Sequence, residues 1–401
     1  MKKRFLSLIL ILVMLFCAGC GSEEKKSRPA KTEDLDEATL RGMAEDITKE
    51  MSLKDKIGQL FIVSLYSLDE GETKNQQKIT KEMKDTIEKY SIGGVILFSK
   101  NMKDASQTKD LIGDLQDASE IPLFAAVDEE GGSVARVSSN EEMGVEHYPS
   151  AKEIGETYDE DLIKEMGKNQ SDQLKKLGFN MNLAPVADVL TNESNTEIGD
   201  RSFGSDADKV SDIVSILVKS MQKQQLSAVL KHFPGSGDTW GDTHRGSAEA
   251  EQTIQQLRKT DFTPFEAGID ADVDAIMVSH LMLSNVTEEK EPSTLSKRVV
   301  TDILRNELEY EGIAMTDAMN MKAITDKYSA GEAAVKALQA GIDVILMPDD
   351  LSKAYQAVQK AVKDGEIKES DIDDSVERII YTKLKRGIIP ADTDLLKDNE
   401  S

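Results

Sequence analysis

The sequence predicts an α/β fold in which one (β/α)8 TIM barrel forms a single domain. The chain has 401 residues, a length that suits one large α/β domain or two medium-sized ones. Short apolar runs recur along it, and amphipathic segments lie between many of them. Strands that alternate with helices close most economically into a barrel, with an open doubly wound sheet as the alternative.

The predicted strands are eight short apolar runs rich in β-branched or aromatic residues, as expected for a parallel sheet buried on both faces. In chain order they are QLFIVSL (59–65), GGVILFS (93–99), PLFAAVDE (122–129), NMNLAPVADV (180–189), AVLKHFPG (228–235), DAIMVSHL (274–281), GIAMTDAM (312–319) and DVILMPDD (343–350).

The predicted helices show the apolar stripe of amphipathic segments. In 208–225 this stripe comprises Val210, Ile213, Val214, Leu217 and Met221. Segments 293–310 and 351–365 show a similar pattern, and 371–389 predicts a last helix that packs on the barrel. We therefore place the barrel domain at 37–391 and a short tail at 392–401.

The N-terminal segment predicts export. MKKR is basic, and the apolar run that follows it ends in small residues before Cys20, which is typical of a secretory signal. The Ala18-Gly19-Cys20 ending resembles a bacterial lipoprotein processing site, so 1–20 is the predicted signal peptide and Cys20 the lipidated residue. The polar segment 21–36 predicts a flexible tether that holds the domain at the outer face of the cell membrane.

Composition limits the partners of this protein. A net charge of −25 and a pI near 4.7 argue against electrostatic binding of nucleic acid or of an anionic membrane surface. Membrane contact is therefore expected only through the lipid, and we expect a monomer. The chain has two cysteines, Cys17 and Cys20, so the mature chain is expected to have no disulfide and no cysteine metal ligand.

Polar residues follow the predicted strands, where the active sites of such barrels lie. The strand ends carry Asp128, Glu129, Glu130, Asp188, Lys231, His232, His280, Asp317 and Asp349. A single carboxylate at a strand end often caps the next helix. A set of nine that converges on one rim indicates a functional site.

Three chemistries fit such a rim to different degrees. A metal-dependent hydrolase would use His232, His280 and Asp349, with Lys231 as a further ligand, but the expected early histidine pair is missing from QLFIVSLYS. A serine or cysteine triad lacks both a usable cysteine and a GxSxG motif. Acid/base and nucleophilic chemistry by carboxylate and histidine remains, as in glycoside cleavage.

Five ordered motifs resemble glycoside hydrolase family 3, in particular its bacterial β-N-acetylglucosaminidases. They are VDEEGGSVARV, NLAPVADV, IGDRSFGSD, KHFPGSGDTWGDTH and MTDAMNM, and the resemblance covers about residues 40–390. It implies Asp317 as the nucleophile of a retaining reaction, His244 as the general acid/base and Asp242 as the carboxylate that orients His244. Residues i and i+2 of an extended loop point to the same side, which suits this Asp242–His244 pair.

The resemblance also implies a sugar-binding set at Asp128, Arg136, Arg201, Lys231 and His232, and it implies neither a metal nor an organic cofactor. Carboxylates accept hydrogen bonds from sugar hydroxyls, and arginine and lysine donate to them. Two further expectations concern the loop. Trp240 anchors it or packs over the sugar, with anchoring preferred, and Ser236 replaces a histidine common in the family at a position that supports the loop or the substrate pocket, so it bears on specificity.

The resulting expectation is a tethered retaining exo-β-N-acetylglucosaminidase that hydrolyses terminal non-reducing GlcNAc from peptidoglycan-derived fragments. A β-glucosidase or a phosphorylase of the same family is one alternative. A sugar-binding lipoprotein without catalysis is another, although such a protein has no need of Asp317 or of the Asp242–His244 pair.

Overall fold

The computed structural model describes residues 35–69, 76–240, 246, 248–287 and 290–391. The strands in these residues are β1 Phe61–Ser64, β2 Gly94–Ile96, β3 Phe124–Val127, β4 Glu129–Gly131, β5 Val134–Ala135, β6 Met181–Asn182, β7 Ser227–Phe233, β8 Glu249–Ala250, β9 Ala275–Val278, β10 Met282–Leu283, β11 Ile313–Thr316 and β12 Ile345–Leu346.

The α-helices of the described residues are α1 Glu37–Glu50, α2 Leu53–Gln59, α3 Leu65–Leu68, α4 Lys81–Tyr90, α5 Ala105–Asp117, α6 Ala151–Thr157, α7 Glu160–Lys176, α8 Ala207–Lys223, α9 Ile254–Lys259, α10 Phe262–Asp270, α11 Lys322–Thr325, α12 Ala330–Ala340, α13 Leu351–Lys363 and α14 Glu369–Lys385.

Eight strands form one parallel sheet in the order β11-β9-β7-β6-β3-β2-β1-β12. The two end strands also meet, because a parallel bridge joins Met315 to Val344 and the Thr316 N–H donates to the Val344 carbonyl at 2.9 Å. The sheet is therefore closed, which confirms the (β/α)8 barrel and excludes the open sheet. Each of the eight predicted apolar runs overlaps one barrel strand.

The helices follow the predicted apolar stripes, with one difference. All five predicted stripe residues of 208–225 are buried in α8, and 351–365 forms α13. Segment 293–310, predicted as one helix, instead forms a 3-10 turn at Ser293–Leu295 and a π-helix at Arg298–Glu307. The apolar spacing there defines the buried face, but it is compatible both with the hydrogen bonds of an α-helix and with those of a π-helix.

The last helix of the described residues, α14, crosses the amino-terminal ends of the barrel strands. Its C-cap Arg386 pairs with Asp274, which directly precedes β9. Its Arg378 lies 3.2 Å from a carboxylate oxygen of Asp343, two residues before β12. Since α1 packs along α14, the described chain begins at the end of the barrel opposite the carboxyl ends of the strands.

Strand β7 is held from outside by α10. The Phe233 ring stacks on Phe262 at 5.6 Å and meets Phe265 edge-on at 5.1 Å between ring centroids. A Cβ at Gly268 would lie 2.4 Å from Leu230, so glycine permits this close contact. This packing fixes the strand that carries Lys231 and His232.

The predicted signal peptide with Cys20, most of the tether and the C-terminal tail lie outside the described residues, and the predicted domain boundaries stay predictions. Among the residues that are described, no helix combines the length and the hydropathy that a membrane crossing requires.

Candidate active site

The carboxyl ends of the barrel strands place the polar residues around one mouth. Asp128 directly follows β3, Asp188 follows β6, Lys231 and His232 lie near the end of β7, and Asp317 directly follows β11. Parallel strands of a closed barrel end on the same rim, so residues distant in sequence come together there.

Lys231 links two carboxylates from the segment after β3. Its Nζ lies 2.8 Å from Asp128 Oδ1 and 2.6 Å from Glu130 Oε1, and both its side chain and that of Glu130 are at most 5% exposed. Burial lowers the pKa of Lys231, but the two carboxylates outweigh this effect and raise it above its usual value. Lys231 is therefore a fixed cation at the floor of the mouth.

Arg201 completes this cluster from the loop after β6. It lies in a 3-10 turn, Gly199–Arg201, and its Nε and Nη2 donate to the two oxygens of Glu130 at 3.0 and 2.9 Å. Burial raises the pKa of Glu130, yet Lys231 and Arg201 lower it to about 2. The charge partner of Arg201 thus comes from a different strand end and not from its own loop.

His232 is held at both ring nitrogens. Its Nδ1 lies 2.7 Å from Asp188 Oδ2, and its Nε2 lies 3.3 Å from Nη2 of Arg201. Asp188 is fully buried and also accepts the Ser236 N–H at 2.7 Å. The imidazole is thus fixed in orientation and tied to the charged cluster.

Asp317 lies at the end of β11, where its Oδ1 accepts the Ala318 N–H at 2.7 Å. Burial raises the pKa of Asp317, but the positive potential of His280 and His232 outweighs it, so the pKa lies below its usual value. Lys231 and the Ala318 N–H act in the same direction. Asp317 is partly buried, and a carboxylate that stays ionised in such a position has the properties of a nucleophile.

Arg136 lies in the hairpin formed by β4 and β5. Its N–H donates to the Asp128 carbonyl at 3.2 Å, and among the described residues its buried Nε has no hydrogen-bond partner. The structure therefore brings together Asp128, Arg201, Lys231 and His232, and places Arg136 beside them without an ion pair to the cluster in the described part of the chain.

The hairpin turn depends on two glycines. Gly131 and Gly132 have φ of +98° and +53°, and a Cβ at Gly132 would lie 2.7 Å from Ser150. Glu129 points away from the charged cluster and accepts the Val137 N–H at 2.7 Å. It supports the hairpin and does not join the site.

The loop after β7 is described up to Trp240, and both Asp242 and His244 lie outside the described residues. The backbone of Ser236 holds the start of the loop, since its N–H bonds to Asp188 and its carbonyl accepts from Asn195 at 2.7 Å. The expectation that Trp240 anchors the loop is wrong, because this side chain is 82% exposed. Composition alone does not show which loop residue finds a packing partner.

Sequence reasoning left Glu130 and Asp188 without a role in the site. Glu130 bonds both cations of the cluster, and Asp188 orients His232. Their position directly after a predicted strand, in VDEE and PVAD, was the available signal. Which strand-end carboxylate faces the mouth depends on hairpin geometry that the spacing does not specify.

The ligand set of the metal-dependent alternative is not assembled. His232 is bound by Asp188 and Arg201, Nε2 of His280 donates to the Ala318 carbonyl at 3.0 Å, and Asp349 is exposed. Within the described ranges, no group of three or more His, Cys, Asp or Glu side chains has an arrangement that can hold a metal ion.

Comparisons with known proteins agree with this geometry. The chain is 31% identical over 336 residues to beta-hexosaminidase A of Pseudoalteromonas piscicida, covering 76% of this chain and 55% of that protein. It is 32% identical to a beta-hexosaminidase of Stenotrophomonas maltophilia, over 70% of this chain and 84% of the relative.

A solved structure of a glycoside hydrolase family 3 beta-N-acetylglucosaminidase from a Paenibacillus species superposes with a TM-score of 0.79 at 34% identity. The match covers 84% of this chain and 63% of that one, so the chain spans less than two thirds of two of these relatives. The model of the glycosyl hydrolase family 3 N-terminal domain matches residues 52–382. With a closed barrel, a charged rim and a match over most of its length, this chain belongs to glycosyl hydrolase family 3.

Proposed function

We propose that this protein is a retaining exo-β-N-acetylglucosaminidase that hydrolyses terminal non-reducing GlcNAc from peptidoglycan-derived fragments. The observation that carries the proposal is Asp317, a partly buried carboxylate that directly follows β11 at the mouth of a family 3 barrel and has a lowered pKa. The names of the hexosaminidase relatives support the sugar class.

The charged cluster provides the sugar-binding side of the site in this proposal. Asp128 retains 16% exposure of its side chain and can accept from a sugar hydroxyl, while Arg201 and Lys231 can donate. Glu130 neutralises part of their charge and keeps them in place. Rigid donors and acceptors on strand ends orient the anomeric carbon towards Asp317.

The first step of the proposed reaction forms a glycosyl-enzyme ester. An Asp317 oxygen attacks the anomeric carbon as the bond to the leaving oxygen breaks, and His244 gives its proton to that oxygen. The positive potential around Asp317 keeps the carboxylate ionised before attack. Its low pKa also makes it a good leaving group in the second step.

The second step releases the sugar. His244 removes a proton from water as the water oxygen attacks the anomeric carbon, and the Asp317 carboxylate departs. Asp242 orients His244 in both steps. Water is added across the glycosidic bond with two inversions, so the β configuration is retained.

Trapping of the intermediate tests the nucleophile. A 5-fluoro N-acetylglucosaminyl reagent, or a 2-fluoro glycosyl reagent, should inactivate the protein and label the peptide that contains Asp317. Mass spectrometry of the digested protein identifies that peptide, with Asp317→Ala as the unlabelled control. Label on any other carboxylate contradicts the assignment.

The substrate class is tested with aryl GlcNAc and aryl glucoside, each with and without phosphate. We expect hydrolysis of the GlcNAc compound to be faster and independent of phosphate. Faster turnover of the glucoside, or a glycosyl phosphate product, identifies the protein as one of the two family alternatives.

The acid/base role of His244 is tested with His244→Ala. Activated nitrophenyl substrates need little acid assistance in the first step, so their first step should survive, and azide should accelerate turnover. An equal loss on activated and natural substrates contradicts the role.

We also propose that lipid on Cys20 tethers the protein to the outer face of the cell membrane. The described chain starts at α1, at the amino-terminal end of the barrel, so the tether would join the face opposite the active site. The mouth would then face away from the membrane. Cys20→Ala should move the protein from the membrane to the soluble fraction without changing its turnover of aryl GlcNAc.

A further inference from the structure

We propose that Asn195 is a positioning residue that couples the turn carrying Arg201 to the segment leading to Asp242 and His244. Asn195 lies in the loop after β6, and it is 4% exposed. This inference rests on the proposed function, because it assigns to Asn195 the task of placing the acid/base relative to the bound sugar.

The amide of Asn195 uses all of its hydrogen-bonding capacity. Its Oδ1 accepts the N–H groups of Glu197 and Ile198 at 3.1 and 3.0 Å. Its Nδ2 donates to the Ser236 carbonyl at 2.7 Å and to Thr239 Oγ1 at 3.1 Å. An amide has two donors and two acceptor sites, so the side chain is saturated by these four contacts.

The oxygen side of the amide holds the sugar-binding turn. Glu197 and Ile198 directly precede the 3-10 turn that carries Arg201, and the Ile198 carbonyl accepts the Arg201 N–H at 2.8 Å. The Gly199 N–H donates to the Asn195 carbonyl at 3.1 Å. Asn195 thus fixes the backbone from which Arg201 reaches Glu130.

The nitrogen side holds the start of the proposed catalytic segment. Thr239 is 1% exposed, and its hydroxyl donates to the Ser236 carbonyl at 3.0 Å. Side-chain exposure rises sharply after Thr239, because the next residue, Trp240, is 82% exposed. Thr239 is the last buried residue of the described chain before Asp242, so the contacts of Asn195 fix the backbone that leads to the proposed acid/base.

Asn195→Asp separates the two functions of the amide. The carboxylate keeps an oxygen for the Glu197 and Ile198 N–H groups, but it cannot donate to the Ser236 carbonyl. We therefore expect the Arg201 turn to persist while the hydrogen bond to the Ser236 carbonyl is lost and the Thr239 hydroxyl no longer accepts one from residue 195. The KM for aryl GlcNAc should change by no more than about twofold, since the sugar-binding cluster is retained.

The first measurement is the dependence of kcat/KM on the leaving group. Poor leaving groups need the proton of His244, so Asn195→Asp should reduce kcat/KM by about tenfold or more for alkyl GlcNAc and only slightly for dinitrophenyl GlcNAc. An equal reduction for every leaving group is the signature of a merely structural role and would overturn the proposal.

The second measurement does not depend on activity. Trp240 is the single tryptophan of the chain and directly follows Thr239, so its fluorescence anisotropy reports on this segment. We expect the anisotropy to fall in Asn195→Asp. If the wild-type protein has no glycosidase activity, the proposed function fails, while an unchanged anisotropy would show separately that Asn195 does not hold the segment.

Two further variants keep the test decisive. Asn180→Asp is the matched control, because its amide also bridges backbone groups, at 2.8 Å to Ala125 N and 2.9 Å to Leu123 O, but at the other end of the barrel. It should leave both readouts unchanged. If Asn195→Asp does not fold, Thr239→Val removes only the hydroxyl partner and should shift both readouts in the same direction; no shift in either contradicts the coupling.

Discussion

The two ends of the barrel use the same residue types for different purposes. At the amino-terminal end, Arg386 bonds both oxygens of Asp274 at 2.6 and 2.7 Å, and Arg305 and Arg378 pair with Asp343. At the carboxyl end, Lys231 and Arg201 pair with Asp128 and Glu130. Both ends are therefore built on buried ion pairs.

The difference lies in what surrounds the charges. Asp343 also accepts the Ala314 N–H at 2.8 Å and the Ser375 hydroxyl at 2.9 Å, so strand and helix together saturate it. At the carboxyl end, Asp317 is held mainly by the potential of neighbouring side chains and by one N–H bond, from Ala318. Saturated pairs stabilise the fold, and a carboxylate with oxygen lone pairs to spare can react.

The largest expected effect is on activity at the carboxyl end. Asp317→Asn removes the nucleophile, and we expect kcat for aryl GlcNAc to fall by roughly 10³-fold or more while Tm changes by only a few degrees. Steady-state kinetics and thermal unfolding measure the two quantities. Asp349→Asn, an exposed carboxylate at the end of β12, is the control and should keep its activity. Residual activity within tenfold of wild type would remove Asp317 from the mechanism.

The next effect is on stability at the amino-terminal end. Asp274→Asn leaves the Arg386 guanidinium buried without its charge partner, which costs about 3–5 kcal/mol in the free energy of unfolding. The folded fraction should keep the wild-type kcat. Asp272→Asn is the matched control, because the Asp272 side chain is 76% exposed and its pair with Lys385 is worth about 0–1 kcal/mol. Denaturant unfolding measures both variants. Equal losses in the free energy of unfolding would argue against a special contribution of the Asp274–Arg386 pair.

A smaller effect concerns pH at the carboxyl end. Burial, with Asp188 and Asp238 nearby, raises the pKa of Asp261 from its usual 3.8 to about 7. The folded state therefore binds more protons than the unfolded state between these values, so this group makes stability fall as pH rises from about 4 to 7. Asp261→Asn should flatten that fall in Tm, whereas Asp270→Asn, exposed on the same helix, should not. If the Tm of Asp261→Asn falls with pH as steeply as that of the wild type, the raised pKa of Asp261 is contradicted.

The smallest effect is the opposite pH dependence at the amino-terminal end. Lys383 is fully buried and its Nζ donates to Gln59 at 2.7 Å, and burial lowers its pKa from 10.5 to about 7. Here the unfolded state binds more protons, so the contribution to stability rises with pH from about 7 to 10.5. Lys383→Met should reduce that rise in Tm, measured by calorimetry. The exposed Lys363→Met is the control, and equal slopes in the two variants would show that Lys383 does not titrate differently in the fold.

Much of the fold followed from the sequence because the barrel strands are buried on both faces and appear as short apolar runs. The strand ends then located Asp128, Lys231 and Asp317 on one rim. The ion pairs of this rim could not be predicted from the sequence. Arg201 and Glu130, for example, are 71 positions apart and meet only because of a hairpin and a 3-10 turn. The exposure of Trp240 and the π-helix at 298–307 depend on tertiary packing, which local spacing does not encode.

The position of α14 has a consequence for the order in which the protein folds during synthesis. Asp274 is buried at the start of β9, but Arg386, its bidentate partner, directly follows α14, and Asp343, which already pairs with Arg305, gains its second partner Arg378 only from α14. Until that helix is synthesised, closing the barrel would bury carboxylates without these partners, which is unfavourable. We therefore expect the nascent chain to stay incompletely folded until α14 is available.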